Sequence, residues 1–555
     1  MKSHRDVIAT LRSPRLAAVA WGWHDDEAWL LADPEISALG LVPELFAVQL
    51  ERRFRAELGL LRLVVAGHRA SVEAAAARYG ADVAEATASI LERDPWTRLP
   101  DPLPKLHPKL EDGSLPVLVT RDGPLPPSTI PTIGKLLAVS PLWLPHPGLV
   151  ELRAECTLES REAFAWEVYE KTWSMDAIAH LGGDACVRKL DALMSTKRGE
   201  MKPEERFRAY AVLARVGTPL ALVLLQKHAL ASPWADRNVA IDALLDELSR
   251  TRGVTRATLE DEAFAGLEVA KSELVLDYGP RSFRVKLDDH LEPQLYGGDG
   301  GRVPKLPKPT KKDDAEKAAR AKEALEALAL DLDDVRETVL GHFERAMATG
   351  RAWDEVRFRR AVVSHPLLGQ LARRLVFAAT SAAGRRVFRV AEDGTYADAN
   401  DAAFVVAEPA TVTVAHPIEM SDEDRAKLRQ LFHDYAIIQP FPQIERPTFR
   451  LEAAERTATE LGRFAYRRVA AARLEGLLGW PGWQHGDHTR MVKPLGLRSA
   501  QLDIARRGVH ARGQTAADEL GLVRVVERGE ARPLAVLTPI EASELLRDLE
   551  SLPTA

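Results

Sequence analysis

The chain has 555 residues, of which 46% are hydrophobic and 28% charged, with a formal net charge of −6 and a pI near 6.3. This length is enough for three or four domains of about 100–200 residues each. The acidic balance argues against a protein whose whole surface neutralises phosphates, so we do not expect nucleic acid as an obligate partner.

The number of cysteines and the distribution of apolar residues indicate the cellular compartment of the protein. Cys156 and Cys186 are the only cysteines, which excludes a disulfide framework and a four-cysteine zinc site. The short apolar run near the start is interrupted by Arg12 and Arg15, so we expect no signal peptide. No charge-free apolar stretch reaches the ~20 residues of a membrane span. We therefore expect a cytoplasmic protein with both cysteines in its core.

The front half of the chain has helical periodicity. Residues 1–93 are predicted to form an N-terminal helical region, and residues 94–150 a proline-rich but ordered connector, with a strand near 115–119 and a helical turn near 132–138. Residues 151–268 contain several Ala/Leu-rich helices at the spacing of HEAT or armadillo units. An irregular helical bundle explains the same pattern, and both interpretations stay open.

The pattern changes between residues 269 and 312, where short strands and a Lys/Pro linker are predicted. SFRVKL alternates apolar and polar residues, which is typical of a half-buried strand. The linker carries Lys305, Lys308, Lys311 and Lys312. Its GGDGG string (297–301) lacks a following Gly-Lys-Ser/Thr, so a flexible loop is favoured over a phosphate loop.

Residues 313–555 are predicted to form a mixed α+β domain. Helices are expected over 313–350, 421–436 and 452–478, and an extended segment over 437–449. RRVFRVAE, AAFVVAE and TVTVAHP read as strands. The predicted fold is therefore multidomain: a helical, HEAT/armadillo-like region followed by an α+β C-terminal domain.

Several strings in this rear half resemble one family. HFERAMATGRAW, SHPLLGQLARRLVF, DYAIIQPFPQIERPTF and SELLRDL are similar to the uncharacterised bacterial MolR-like family, whose shared segment is the domain of unknown function DUF 4132. The likeness runs from about Leu276 to the C-terminus. It implies a protein of unknown biochemical function, with some members labelled as molybdate-metabolism regulators. Many members carry a WGR domain, but the Trp21-Gly22-Trp23 string lacks the arginine of that motif.

The QPFPQIER string is the first candidate for a ligand site. Its prolines hold the backbone extended, so Gln439, Gln443, Glu445 and Arg446 can be presented rigidly to a ligand. The alternative is that the apolar residues anchor a core segment while the polar ones satisfy backbone groups. Both interpretations predict an ordered segment.

Arginines near predicted element ends form the second candidate. Arg345, Arg373 and Arg374, with Arg351 and Arg389, are placed to bind a phosphate or carboxylate in bidentate fashion. Solvated or salt-bridged faces explain the same residues, and Glu344 offers Arg345 a local partner.

Histidines provide a third, weaker pattern. His485, Asp487 and His488 have ligand types that suit a divalent metal, although a solvated polar turn is the favoured interpretation. His365 and His416, each followed by proline, are interpreted as end-of-element residues. No cofactor can be assigned from these patterns.

Two functions are compatible with the sequence. The first is a non-enzymatic regulatory or scaffolding protein that binds a protein partner or a small ligand. The second is an enzyme acting on a phosphorylated or nucleotide-type ligand through the C-terminal domain, around Arg373, Arg446 and the QPFPQ segment. A deep pocket in which these arginines meet a carboxylate or histidine would favour the enzyme.

Overall fold

The computed structural model describes residues 69–88 (except 79, 82, 86 and 87), 107–110, 114–195 (except 141, 143 and 144), 201–267, 274–288, 292–478, 482–506 (except 488 and 497) and 517–554. Most of the predicted N-terminal helical region (1–93) lies outside these ranges. The chain divides into two compact units: residues 1–221 with 247–254, and residues 222–246 with 255–555.

The first unit is mainly helical. Its helices, two of which continue into the second unit, are α1 (Arg69–Ala77), α2 (Ile130–Val139), α3 (Pro147–Glu155), α4 (Leu158–Thr172), α5 (Asp176–Leu181), α6 (Asp184–Ser195), α7 (Pro203–Val216), α8 (Pro219–Ala231) and α9 (Ala235–Thr251). A two-stranded hairpin joins β1 (Val119–Thr120) to β2 (Gly123–Pro124) in the proline-rich segment. Helix α2 covers the helical turn predicted near 132–138, the first strand begins only at Val119, and the limits of the predicted connector (94–150) stay a prediction.

Helix α5 lies at the centre of the first unit. It packs against α3, α4 and α7, and every residue from Ala177 to Leu181 is buried. Both cysteines are free and buried, as predicted. The arrangement is a packed helical bundle, and a HEAT/armadillo-like repeat stays a prediction.

The second unit opens with α10 (Arg256–Ala265) and an antiparallel four-stranded sheet in the order β3 (Leu274–Asp277), β4 (Ser282–Leu287), β5 (Pro293–Tyr296) and β6 (Arg302–Val303). Phe283 and Val285 of β4 are buried, which confirms the alternation of SFRVKL. The GGDGG string forms the tight turn between β5 and β6, closed by a hydrogen bond from the Gly297 N–H to the Gly301 carbonyl.

The 35-residue helix α11 (Ala315–Thr349) connects this sheet to the rest of the second unit. The Asp314 carboxylate accepts from the N–H groups of Glu316 and Lys317, and Gly350 ends the helix in the left-handed conformation that glycine adopts readily. Val335, Val339, Phe343 and Met347 are fully buried. The predicted helix over 313–350 is confirmed.

Beyond α11 the chain alternates short helices with a five-stranded antiparallel sheet. The new elements are β7 (Ala352–Asp354), α12 (Glu355–Phe358), a π-helical turn (Arg359–Val363), α13 (Pro366–Ala372), β8 (Val376–Ser381), β9 (Gly384–Val390), β10 (Tyr396–Asp398), β11 (Thr411–Val414) and α14 (Asp422–Asp434). The strand order is β10-β9-β8-β11-β7. RRVFRVAE and TVTVAHP are strands as predicted, but AAFVVAE is not, because it makes only a single bridge, Ala397 to Ala403.

The C-terminal part forms a seven-stranded antiparallel sheet covered by a final helix. Its elements are α15 (Ala453–Thr457), β12 (Glu460–Leu461), β13 (Arg468–Ala470), α16 (Ala471–Glu475), β14 (Gln484–Asp487), β15 (Arg490–Leu495), β16 (Arg498–Arg506), β17 (Ala517–Glu527), β18 (Glu530–Arg532) and α17 (Pro539–Glu550). The main path is β12-β17-β16-β15-β14, and β13 and β18 also pair with β17.

The long helix predicted over 452–478 is wrong. The helix stops at Thr457, and the following residues pair with β17, which buries Leu461, Phe464 and Val469 in the sheet core. Tyr466 takes a left-handed backbone (φ 64°), which is incompatible with a continuous helix. Tertiary pairing therefore overrides the helical propensity of an Ala/Arg/Leu-rich segment.

The extended segment 437–449 lies against the five-stranded sheet, held by one side chain. Gln443 is fully buried: its amide nitrogen donates to the carbonyls of Val376 (2.7 Å) and Ala415 (2.8 Å), and its amide oxygen accepts from the Val376 N–H (2.8 Å). These bonds fix the segment beside β8 and so set the position of Arg446, three residues further on.

The chain forms two compact units, and two of the boundaries between them fall inside helices α8 and α9. This division does not test the limits of the five predicted regions, which stay predictions. Among the described residues, no helix combines the length and the apolar character needed to cross a bilayer.

Replacing Gln443 with methionine, which has a similar volume, leaves the Val376 N–H and the Ala415 carbonyl without their hydrogen-bond partner, whereas the Val376 carbonyl still accepts from the Ala415 N–H. At about 1–3 kcal/mol for each unsatisfied group, we expect the free energy of unfolding to fall by at least about 2 kcal/mol, measured by urea denaturation. Gln430→Met is the matched control, since Gln430 is exposed and pairs only with Asp434. Equal effects of the two substitutions would contradict the anchoring role.

Candidate ligand-binding cavity

A cavity of about 230 Å³ lies within the second unit. Its walls come from distant parts of the chain: α8 and α9, the C-terminal half of α11, Arg446 of the extended segment, strands β14 and β15, and helix α17. Apolar side chains and several charged groups line it together. The cavity is partly open to solvent, and its volume is larger than the ~150 Å³ of a cavity that holds benzene, so a small ligand fits.

Arg446 and Glu544 form a buried ion pair beside this cavity. The arginine Nε donates to Glu544 Oε1 at 2.8 Å and its Nη2 donates to Oε2 at 2.6 Å, which is a bidentate pair. Arg446 is 4% exposed and Glu544 2%. The pair ties the extended segment to α17 across 98 residues of sequence.

Three further groups complete the network around this pair. The remaining Arg446 nitrogen, Nη1, donates to Glu344 of α11 at 2.7 Å. His416 Nε2 lies 3.1 Å from Glu544 Oε1, and Arg547 lies 3.2 Å from Glu544 Oε2. The carboxylate of Glu544 therefore contacts three nitrogen-bearing side chains.

These contacts fix the charge state of the pair. Burial alone would raise the pKa of Glu544, but the hydrogen bonds from Arg446 and His416 and the charges of Arg446 and Arg547 outweigh it, so the pKa lies well below its usual range. Burial likewise opposes the charged form of Arg446, yet Glu544 and Glu344 raise its pKa. Both groups are therefore ionised at neutral pH.

The other charged groups of the wall also have partners. Lys493 of β15 pairs with Asp548, which also accepts from the Trp483 indole N–H at 2.9 Å. Glu541 pairs with Arg498, and Asp242 of α9 pairs with Arg256 at 3.1 Å. These residues form a rigid, electrically balanced wall.

Arg345 differs from all of them. Its side chain faces the cavity, next to Glu344 on α11, and its guanidinium makes no hydrogen bond or ion pair within the described part of the chain. Surrounding protein nevertheless lowers its pKa, first by desolvation, while the charges of Glu260 and Asp242 act in the opposite direction. Arg345 is exposed to solvent and stays protonated at neutral pH, so one cation without a hydrogen-bond or ion-pair partner lines the cavity.

The structure brings together two of the seven predicted ligand residues. Arg345 and Arg446 line the same cavity although 101 positions separate them in sequence. Gln443 and Gln439 lie behind it as supports: the Gln439 amide donates to Gln443 at 3.0 Å and accepts from the Ile444 N–H at 2.9 Å. Glu445 is exposed and pairs with Arg429.

The remaining predicted arginines lie elsewhere. Arg374 donates to the Ile438 carbonyl at 2.6 Å, and the Nε of Arg373 is buried without a hydrogen-bond partner. Arg351 joins Glu260 and Asp261 of α10, and Arg389 pairs with Asp401 at 2.8 Å. These side chains are therefore distributed over several element ends, and their role in binding a ligand stays a prediction.

The predicted metal residues fall on a strand. His485 lies in β14, its ring 4.8 Å from that of Trp234, and Asp487 accepts from the N–H and hydroxyl of Thr489. His488 is outside the described residues. Within the described part of the chain no group of three potential metal ligands comes together.

His365 and His416, interpreted from the sequence as end-of-element residues, each lie directly before a helix or helical turn. The Nδ1 of His365 accepts from the Leu367 and Leu368 N–H groups, and that of His416 accepts from the Ile418 N–H. The contact of His416 with Glu544 was not predictable, because nothing local in the sequence marks a partner 128 residues away.

Comparisons with known proteins found one protein family and one relative that match this chain. Residues 300–483 match the family described as "Domain of unknown function (DUF4132)". Over 490 residues the chain is 28% identical to the uncharacterized protein YehI of Escherichia coli (strain K12). That match covers 84% of this chain but 40% of YehI, so the chain spans less than half of its relative. No solved structure matches significantly.

The family match confirms the DUF4132 domain that the sequence indicated. Neither the family nor the relative has a described biochemical activity that could be compared with this chain. The matched segment contains Arg345 and Arg446, while Lys493 and Glu544 lie beyond its end. The likeness to MolR-like proteins and the association with WGR domains stay expectations.

A double-mutant cycle tests the buried pair. Arg446→Met removes the bidentate partner of the buried Glu544 carboxylate and leaves it only the contacts with His416 and Arg547, so we expect a loss of about 3–5 kcal/mol in the free energy of unfolding. The double variant Arg446→Met with Glu544→Gln should recover part of this loss. The control Arg429→Met breaks the exposed pair with Glu445 and should cost about 0–1 kcal/mol. A loss at Arg446 no larger than at Arg429 would contradict the burial of the pair.

The lowered pKa of Glu544 predicts a pH dependence. A carboxylate whose pKa is depressed by folding contributes stability above its unfolded value of about 4.3, and that contribution is lost as the pH falls towards the folded value. The stability difference between the wild type and Glu544→Gln should therefore be largest near pH 7 and shrink below about pH 4.3. Urea denaturation from pH 7 to pH 3 measures it. A difference that does not change with pH would refute the depressed pKa.

Proposed function

We propose that this protein is a cytoplasmic regulatory protein whose second unit binds a small anionic ligand, carrying a carboxylate or phosphate group, in the cavity beside Arg345. The observation that carries the proposal is the unpaired Arg345 guanidinium in a cavity whose other charged side chains already have partners. An anion is the chemical complement of such a group.

The size of the cavity supports a compact ligand. Pockets that bury drug-sized molecules measure about 300–1,000 Å³, and this one measures about 230 Å³. A short organic acid or a small phosphate ester fits better than a nucleotide. The apolar side chains of Ala348 and Leu495 supply a surface for the carbon part of such a ligand.

The same contacts favour binding over catalysis. A general acid or base needs a pKa near the working pH, but Glu544 is held ionised by Arg446 and His416. Arg373, which the enzyme hypothesis requires, is not among the cavity residues. Two free, buried cysteines fit a cytoplasmic location. Binding of a protein partner is an additional part of this regulatory proposal.

Substituting Arg345 tests the proposal. Inorganic phosphate and citrate, titrated calorimetrically into the full chain at low ionic strength, should show at least one binding event. Arg345→Gln should weaken it by about 10–100-fold, since a hydrogen bond to a charged group contributes about 1.5–3 kcal/mol. The fold should not suffer, because Arg345 has no partner to lose.

Arg320→Gln is the matched control. Arg320 lies on the same helix, α11, in an exposed pair with Glu316, so its loss should leave anion affinity within about twofold. The proposal fails if neither anion binds the wild type, or if Arg345→Gln binds both as well as Arg320→Gln does.

A further inference from the structure

A second, smaller cavity of about 140 Å³ lies in the second unit and is partly open to solvent. Its walls come from the 3₁₀ turn Pro417–Glu419, the end of the extended segment with the two residues that follow it, α15, the 3₁₀ turn Leu534–Val536 and the start of α17. None of its wall residues lines the cavity beside Arg345. The two cavities are therefore separate places in the same unit.

The floor of this second cavity is apolar. Ile418, Leu537 and Ala542 are buried. Phe449 and Leu451 are half-buried and pack against the core of the seven-stranded sheet. The volume is close to the ~150 Å³ of a cavity that holds benzene. One ring or one short branched chain therefore fits on this floor.

Two exposed arginines, Arg450 and Arg456, form the rim of the cavity. The guanidinium of Arg450 makes one long contact, 3.5 Å from its Nη2 to the Ile418 carbonyl oxygen. The guanidinium of Arg456 makes no hydrogen bond or ion pair within the described part of the chain. The wall residues include no Asp or Glu. The cavity therefore combines an apolar floor with a positively charged rim.

The carboxylates closest in sequence to the wall residues are engaged elsewhere. Three of the four pair with other arginines: Glu419 with Arg385 at 2.6 Å, Glu455 with Arg463 at 3.0 Å and Glu541 with Arg498 at 3.2 Å. The fourth, Glu452, belongs to the capping box at the start of α15. The fold thus supplies ion-pair partners to the arginines around the cavity and leaves the two on its rim without one.

The start of α17 adds to the positive character of the rim. Pro539, the first residue of this helix, lines the cavity, and the N-terminal end of a helix carries a partial positive charge. Water solvates exposed arginines such as these in the free protein, but it does not cover the apolar floor favourably. A ligand that covers the floor and brings an anion to the rim removes apolar surface from water and adds charge-assisted hydrogen bonds.

We propose that this second cavity binds a small molecule with an apolar body and one anionic head group, a carboxylate or a phosphate. The apolar body lies on the floor formed by Ile418, Phe449 and Leu537. The head group accepts hydrogen bonds from Arg450 and Arg456, since guanidinium groups match the oxygens of either anion in bidentate fashion. The site does not depend on Arg345 or on the ligand proposed for the larger cavity.

The test uses the full chain carrying Arg345→Gln, so that the larger cavity does not contribute. Phenylacetate and phenyl phosphate are titrated by ligand-detected NMR at low ionic strength, and the pair distinguishes a carboxylate from a phosphate head group. At least one of them should bind. Phenylacetamide, which lacks the charge, and acetate and inorganic phosphate, which lack the ring, should each bind at least about tenfold more weakly than the aromatic anion that binds.

Substitutions at the rim separate binding from folding. Arg450→Gln and Arg456→Gln should each weaken binding at least about tenfold and leave the melting temperature unchanged, because neither arginine has an ion-pair partner to lose. Ala535→Phe, at an exposed wall position, narrows the entrance and should also weaken binding. Arg473→Gln is the matched control, since Arg473 is exposed on α16 and does not line the cavity.

Three results would each overturn the proposal. In the first, neither aromatic anion binds the parent. In the second, phenylacetamide binds as tightly as phenylacetate and phenyl phosphate do, so that the charge makes no contribution. In the third, Arg450→Gln and Arg456→Gln both bind the aromatic anion within about twofold of Arg473→Gln, which is too small a change for a lost charge-assisted hydrogen bond.

Discussion

The bidentate pair between Arg446 and Glu544 is the interaction around which the second unit is organised. Arg446 belongs to an extended segment held against the five-stranded sheet, and Glu544 belongs to the helix that covers the seven-stranded sheet. A third nitrogen of the same guanidinium reaches Glu344 on α11. One side chain therefore connects two sheets and the longest helix among the described residues.

A buried ion pair of this kind fixes the relative positions of the elements it joins more than it increases the net stability of the fold. Removing two charges from water costs several kcal/mol per ion, and their attraction offsets that cost only with good geometry and additional hydrogen bonds. Here Glu344, His416 and Arg547 supply those additional contacts. The arrangement is rigid, since no partner can leave without exposing an unbalanced charge.

The pairing of the other charged wall residues explains why Arg345 has no partner. Because Glu344 is already bound by Arg446, it is not available to neutralise the arginine that follows it on α11. A ligand that enters the cavity meets a preformed surface with one open cation. Preorganisation of this kind reduces the entropic cost of binding.

Local patterns predicted the elements well where one face of a segment is buried. The stripe ending at Met347, the alternation of SFRVKL and the capped start at Asp314 are all encoded within a few residues. The segment after Thr457 could not be predicted in this way, because its pairing with β17 depends on residues 47 to 64 positions away.

The site was predicted in part, for the same reason. Arg446 and Arg345 stand out by residue type and by their position at the ends of apolar stretches. Glu544, Lys493 and Arg547 carry no local signal, and their role depends on how α17 packs. Gln443 was singled out correctly as part of an ordered segment, although its three backbone contacts assign it to packing.

A crystal structure of the chain grown in a high concentration of citrate tests the central claim most directly. The account predicts a bound anion in the cavity within hydrogen-bond distance of the Arg345 guanidinium, with the Arg446–Glu544 pair unchanged. An empty cavity in which Arg345 pairs with Glu344 or Asp242 would contradict it.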